Sequence, residues 1–367
     1  MDRLRVAVLF GGRSGEHEVS LRSAASITDG LRRHGRYEVL PVGITPEGSW
    51  YLGEDILQAL REGKEPQKSM PVALLADPGR RGLFVLAGDR AGDIIPVDVV
   101  FPVLHGTYGE DGTVQGLLEL ARLPYVGAGV LGSAAGMDKI LMKAVLRDGG
   151  VPVGPYIWFL AADWAEDSSR IHSEVREHLG YPCFVKPANL GSSVGISKVY
   201  REEDLADAVR EAARYDRRLL VEKHLPGREI EVSVLGNDRP RASVAGEVKP
   251  CNEFYDYNAK YIDDRSELFI PADLALPVAD RVRELAVRTF LLLDCAGLGR
   301  VDFFVNDGTG EIWVNEINTI PGFTSISMYP KMWEASGLSF TALLEDLINL
   351  ALERFAAREA LETVYRP

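Results

Sequence analysis

Residues 4–10, LRVAVLF, form a largely apolar run closed by Gly11-Gly12. A run without alternation suits a strand that hides both faces from water, as in parallel α/β sheets. Val19, Ala24, Ile27 and Leu31 then recur at roughly helical spacing and predict a helix from about Glu16 to Arg33. YEVLPVGI predicts a second strand, and DVVFPVL, leading into His105, a further one. Alternating strands and helices over about the first 125 residues predict an open parallel α/β sheet.

The pattern changes from about residue 128. A helix around Asp138 to Arg147 precedes the strand PYIWFL, the short strand CFVKP, a Gly/Ser-rich loop, SKVY, a helix from about Glu202 to Tyr215, and the strand LLVEKH. Pro226-Gly227 is a natural break. Beyond it, EIEVSVLG and RASVAGEV flank the turn GNDRP and predict a hairpin. A polar, aromatic loop (Pro250 to Arg265) and a helix (about Pro277 to Leu293) lead to two strands, GRVDFFV and EIWVNEIN, joined by NDGTG. A last helix starts near Ser339. These signals divide the chain into 1–127, 128–225 and 226–353, with a charged, helix-prone tail at 354–367.

Length and charge narrow the function. The chain has 367 residues, 46% of them hydrophobic, which suits two or three compact units. A net charge of −13 argues against nucleic acid as a partner. No apolar run reaches the roughly 18 residues of a membrane span, and the N-terminal apolar stretch is too short for a signal peptide. Cys183, Cys251 and Cys295 are widely spaced and form neither a metal motif nor a disulfide framework, so a reducing cytoplasm is expected.

The strongest chemical signal is acidic. Residues two apart on a strand share a face, so Arg300, Asp302 and Phe304 align, as do Glu316 and Asn318. Antiparallel pairing across NDGTG would bring Asp302, Glu316 and Asn318 together as hard oxygen donors suited to magnesium beside phosphates. Asp302 alone would read as an ordinary polar strand residue. NLGSSVG at 189–195, with Ser192 and Ser193, could cradle phosphate oxygens, although it is not a GxxxxGK[ST] loop. Lys186 and Lys223 end strands and Lys139 opens a helix, so all three could reach one polyphosphate. Glu16 follows the first strand, at the sheet edge where ligands of open α/β folds sit, and could hold an ammonium. His105 could reach the same place. Lys260 and Tyr261, in EFYDYNAKY, could bind a carboxylate or phosphate and donate a hydrogen bond.

GEHEVS, LHGxxGEDGTxQG, MDK, KPxxxGSSVG, FYDYxAKY, GRxD and NExNTxPGxT occur here in that order. Together they resemble the D-alanine–D-alanine ligase family of the ATP-grasp superfamily, from about residue 5 to 350. The resemblance implies an ATP-grasp fold of three α/β domains with ATP between the second and third. It implies ATP contacts from Lys139, Lys186, Glu222, Lys223, Leu225, Glu229 and Phe304. Asp302, Glu316 and Asn318 are implied to hold two Mg2+ ions, with Mn2+ as an alternative. Glu16 would hold the first D-alanine's amine, with His105 near it. Lys260 and Ser327 would contact the second D-alanine's carboxylate, and Tyr261 and Ser192 would link to Glu16. Arg300 would steady the oxyanion beside the Gly322 backbone. A homodimer is a further implication of the family. The stretch 55–95 exceeds that of the shortest members and is expected to be a surface elaboration.

The implied reaction is ligation of two D-alanines for peptidoglycan precursors. ATP phosphorylates one carboxylate, the second amine displaces phosphate, and the Ser192 loop with the 253–261 segment closes to exclude water. Three alternatives compete. D-lactate or D-serine could replace the second D-alanine. A nucleotide-binding regulator without catalysis would have lost part of Asp302, Glu316, Asn318 or Arg300, and all four are present. An NAD-dependent oxidoreductase would need a third glycine spacing that GGRSGEHE lacks.

Overall fold

Leu4–Gly11 is the strand its apolar run predicts, and from Val6 onward it is fully buried (β1). Helix α1 follows at His17–His34. It ends at Gly35, which adopts a left-handed φ of 77° and lets the chain turn into Tyr37–Ile44 (β2). Arg32, Arg33 and His34 sit in its last turn, where the helix dipole favours positive charge. The computed structural model describes residues 3–191, 194–249, 267–324 and 326–362.

The first sheet departs from the fully parallel arrangement expected. Only β2, β1 and Val99–Val103 (β7) run parallel. Trp50–Leu52 (β3), Met70–Leu74 (β4), Leu83–Val85 (β5) and Ile94–Ile95 (β6) extend the β2 edge antiparallel, giving the order β6-β5-β4-β3-β2-β1-β7. The reason is the connection. Ile44 reaches Trp50 through a tight turn at Gly48 (φ 97°), too short for the crossover that a parallel neighbour needs. The sheet is therefore mixed, and most of the 55–95 stretch forms this extension, with helix α2 at Ile56–Arg61.

Thr113–Leu120 (α3) and Val130–Met137 (α4) lead to Lys139–Asp148 (α5). A four-stranded antiparallel sheet follows in the order β10-β9-β11-β8, from Tyr156–Leu160 (β8), Cys183–Pro187 (β9), Ser197–Val199 (β10) and Arg218–Lys223 (β11). Helices Ala161–Glu166 (α6), Ser168–His178 (α7) and Leu205–Ala212 (α8) accompany it, and Ile171, Val175, Leu205 and Val209 fill its core.

The third sheet runs β14-β13-β12-β15-β16. Arg228–Gly236 (β12) and Arg241–Lys249 (β13) are the predicted hairpin, and Glu267–Phe269 (β14) edges it. Leu276–Leu292 (α9) packs Val282, Leu285, Ala286 and Phe290 against Gly297–Val305 (β15) and Ile312–Asn318 (β16). Met328–Ala335 (α10) and Phe340–Glu359 (α11) close the chain, the latter capped by the Ser339 hydroxyl accepting from Ala342 N–H.

Helix α11 returns to the first sheet. Leu343, Leu344, Leu347 and Ile348 share one core with Val6, Val8 and Leu31. A Cβ at Gly30 would lie 2.6 Å from Leu344 Cδ1, so glycine permits the close approach of α1 and α11. The helix continues through residue 354 into the charged, helix-prone tail, and Glu359 pairs with Arg122 and Arg81. No single described helix is long and apolar enough to cross a membrane.

Candidate active site

Two cavities adjoin between the sheets, of about 500 Å³ and 830 Å³. The smaller lies between the second and third sheets. The larger lies where α1 and the turn after β7 face the end of β16. Lys139, Leu190, Gly191, Glu231 and Glu316 line both.

Helix α5 starts where Asp138 accepts from the N–H groups of Ile140 (3.1 Å) and Leu141 (2.9 Å). That cap places Lys139 and Lys143, four residues apart, on one face. Lys139 Nζ donates to the Leu190 carbonyl at 2.7 Å and lies 4.0 Å from Glu316 Oε2. Lys186 on β9 and Glu222 on β11 are diagonal neighbours on the same face, because Lys186 pairs in register with Leu220. Their side chains meet at 2.5 Å, and Lys143 reaches the other Glu222 oxygen at 2.6 Å. Burial alone would raise Glu222, but the two ammonium groups outweigh it and hold the carboxyl down to about 2. Phe184, Leu225 and Phe304 supply apolar wall, and Lys223 and Glu229 complete the lining.

Strands β15 and β16 pair antiparallel as expected, with Asp302 opposite Glu316 and Arg300 opposite Asn318. Arg300 donates to both Asp302 oxygens, from Nε and Nη2, each at 2.7 Å. Asn318 Nδ2 donates to Asp302 Oδ2 at 3.1 Å. On the other side, β12 sets Glu231 opposite Asp302, and Glu231 Oε2 lies 3.1 Å from Arg300 Nε. Among the described residues, no group of three or more His, Cys, Asp or Glu side chains converges as a metal cage. Two carboxylates and an amide oxygen nevertheless fit a hard divalent ion that takes its remaining ligands from phosphates and water, the habit of magnesium.

At the larger cavity, Glu16 is buried beside two glycines. A Cβ at Gly106 would lie 2.7 Å from Glu16 Oε2, and one at Gly191 2.9 Å. Glycine at both positions lets the backbone close around this carboxylate. His105 is 4% exposed, and both its nitrogens are engaged. Nδ1–H donates to the Ile320 carbonyl (2.9 Å), which fixes the neutral tautomer, and Nε2 faces the Ser23 hydroxyl at 3.1 Å. Burial lowers its pKa, against the opposing charge of Glu16. Ser23 Oγ also accepts from Phe323 N–H (3.2 Å). Glu110 accepts from Gly106 N–H (2.6 Å) and Ile320 N–H (3.2 Å). Burial first, then Glu16, pushes its carboxyl up to about 8. Ser23, His105 and Glu110 thus clasp the 320–323 turn that leaves β16. Gly322 and Ser327 sit on the same wall, with Ser327 Oγ accepting from Thr324 N–H at 3.0 Å.

The structure therefore gathers Glu16, His105, Arg300, Gly322 and Ser327 around one cavity and Lys186, Glu222, Lys223, Leu225, Glu229 and Phe304 around the other. Lys139 and Glu316 line both, Asp302 lines the smaller and Asn318 the larger. Ser192, Lys260 and Tyr261 lie outside the described residues. Sequence reading passed over Lys143, Glu110, Ser23 and Glu231. Lys143 could have been found from its four-residue spacing to Lys139, and Glu231 from its two-residue spacing to Glu229. Nothing local marks Ser23, because its partners lie 82 and 300 residues away. Cys183 and Cys295 are buried thiols pushed up to about 12, which leaves them unreactive.

Comparison with known proteins identifies the family and the fold. A family model described as D-ala D-ala ligase N-terminus matches residues 5–128, and one described as D-ala D-ala ligase C-terminus matches 145–349. A curated D-alanine–D-alanine ligase of Natranaerobius thermophilus is 53% identical over 96% of both chains. That of Heliobacterium modesticaldum is 50% identical over the full length of both. Among solved structures, the D-alanine-D-alanine ligase from Coxiella burnetii superposes with a TM-score of 0.84 at 38% identity, covering 98% of this chain and 97% of that one. The VanG D-Ala:D-Ser ligase from Enterococcus faecalis gives 0.85 at 37%, covering 95% and 99%.

Proposed function

The chain belongs to the D-alanine–D-alanine ligase family, and from that premise we propose how its own residues join two D-alanines with ATP, forming D-alanyl-D-alanine, ADP and phosphate for peptidoglycan synthesis. The observation that carries the reading is the shared wall of the two cavities. Lys139, Glu231 and Glu316 face both, so a phosphate at the end of one cavity meets a carboxylate at the end of the other.

The smaller cavity takes ATP. Adenine lies among Phe184, Leu225 and Phe304, with Glu222 as acceptor for its amino group, and Glu229 takes the ribose. Lys139 and Lys186 face the phosphates. Asp302, Glu316 and Asn318 would hold two divalent ions, Mg2+ by their oxygen chemistry and Mn2+ as an alternative. Bound there, the ions would offset charge on the transferring phosphoryl group.

The first D-alanine places its ammonium on Glu16, and its carboxylate faces the shared wall. A carboxylate oxygen attacks the γ-phosphorus and ADP leaves, which gives an acyl phosphate. Ser327 holds the second D-alanine, with Lys260 assigned to its carboxylate by family resemblance. Its amine attacks the acyl carbon, the nitrogen loses a proton, and phosphate leaves as the peptide bond forms. Arg300, with the Gly322 backbone beside it, steadies the oxyanion, and Asp302 and Glu231 hold its guanidinium. Ser192 and Tyr261 belong to the same reading by resemblance. A homodimer also belongs to it by resemblance, whereas the division at 127 and 225 rests on the pattern of elements and a cytoplasmic location on the cysteine usage.

The experiment is ADP release from ATP and D-alanine, with the product identified by mass. D-Alanyl-D-alanine is expected, and absence of any dipeptide would overturn the reading. The likeness to a D-Ala:D-Ser ligase makes D-serine the second acceptor to test. A mixed dipeptide formed in preference would move the chain to that specificity.

A further inference from the structure

The strongest unassigned group is a lysine that the reaction above does not use. Lys143 is 2% exposed, with its ammonium held between the Asn315 carbonyl (3.1 Å) and Glu222 Oε1 (2.6 Å). Lys186 takes the other Glu222 oxygen at 2.5 Å. A single buried carboxylate thus serves two lysines, and the reading above gives only Lys186 to the phosphates.

The arrangement matters when nucleotide enters. Lys186 must then turn its charge toward phosphate and loosen its hold on Glu222. Were Lys186 the only counter-charge, its departure would strand a buried carboxylate, and that cost opposes binding. With Lys143 in place, Glu222 keeps a cation throughout and stays ionised as an acceptor. The Asn315 carbonyl fixes Lys143 from β16, one residue before Glu316. The same ammonium therefore ties the nucleotide cavity to the strand that bears the metal ligands.

We propose that Lys143 is a positioning residue for nucleotide, acting as the permanent counter-charge of Glu222 and so releasing Lys186 to the phosphates. The inference rests on the ATP site proposed above.

The test measures ADP binding by calorimetry and the KM values for ATP and D-alanine in wild type, Lys143→Met and Lys143→Gln. Both substitutions are repeated in a Glu222→Gln background. Lys143→Gln keeps a donor for the Asn315 carbonyl but no charge. The expected result is about a tenfold or greater loss of ADP affinity and a matching rise in KM for ATP, with KM for D-alanine unchanged. A tenfold loss corresponds to ~1.4 kcal/mol. In the Glu222→Gln background the same substitutions are expected to cost less than about twofold, since no charge is left to compensate. Unchanged nucleotide binding in either single variant, or an equal loss in both backgrounds, would overturn the proposal. So would singles that fail to fold beside doubles that do, because Lys143 would then serve stability alone. A wild-type chain that binds no ADP would instead overturn the nucleotide reading on which the proposal stands.

Discussion

Asp302 shows how one side chain carries several duties. Both its oxygens accept from Arg300, Asn318 donates to one of them, and Glu316 stands opposite on the neighbouring strand. Removing its charge affects two things at once: the donor set proposed for a divalent ion, and the anchor of the guanidinium proposed to steady the oxyanion. Asp302→Asn is nearly isosteric and keeps one acceptor, so the strand pairing should survive. The expected outcome is a loss in kcat of about 10²–10³-fold or more with a melting temperature lowered by only a few degrees, as the part-buried Arg300 loses one of its two carboxylates. ADP release and a thermal melt check it, and near-normal turnover would remove Asp302 from the metal site. Glu16 depends on the space around its carboxylate, where Gly106 and Gly191 come close. The two glycines at its carboxylate leave no room for a Cβ, so Gly191→Ala should weaken D-alanine binding more than ATP binding. Steady-state KM values for the two substrates decide this.

Elements explain why the two halves of the site stay in register. Three backbone groups of the 320–323 turn are held by side chains from the first sheet's side of the cavity. Glu110 takes the Ile320 N–H, His105 donates to the Ile320 carbonyl, and Ser23 takes the Phe323 N–H. Helix α1 and the turn after β7 therefore set where Gly322 lies relative to Glu16. Ser23→Ala leaves Phe323 N–H buried without its acceptor, at a cost of about 1–3 kcal/mol. KM for D-alanine is expected to rise with KM for ATP little changed, and an equal rise in both would show a general loosening instead. This clasp also marks the limit of what sequence discloses. Strands β1, β2, β7, β15 and β16 and helices α1, α5 and α9 were legible, because apolar spacing is a local property. So was the Asp302–Glu316 pairing, because a short turn sets the register. The antiparallel edge was not, since its four short strands carry too few residues to show a period. The clasp was not either, because its bonds join positions 210 to 300 residues apart. Lys143 sat in plain view, but a lysine on a helix reads as solvated until burial is known.

At the scale of the whole molecule, two buried carboxylates pull the pH dependence of stability in opposite directions. Glu222 is held at about 2 by its lysines, below its ordinary 4.5. The unfolded chain therefore binds the proton more readily, and this group's contribution is full above 4.5 and disappears as pH falls toward 2. Glu110 is the reverse. Burial and Glu16 push it to about 8, so between 4.5 and 8 the folded chain keeps a proton that the unfolded chain has released. Stability from this group is complete below 4.5 and declines as pH rises to 8, by at most about 1.4 kcal/mol per pH unit. The molecule accepts that decline at the junction between its first and third sheets, where α11 also closes the core over β1. Glu110→Gln cannot titrate, so its unfolding free energy should lack the downward slope between pH 5 and 8 expected of the wild type. Glu222→Gln should leave that slope and flatten the acid limb below 4.5. Urea titrations of the three proteins across this range separate the two effects. A Glu110→Gln curve parallel to wild type would mean that the buried carboxyl is already ionised, its charge balanced by the two N–H groups it accepts and by nearby Arg300.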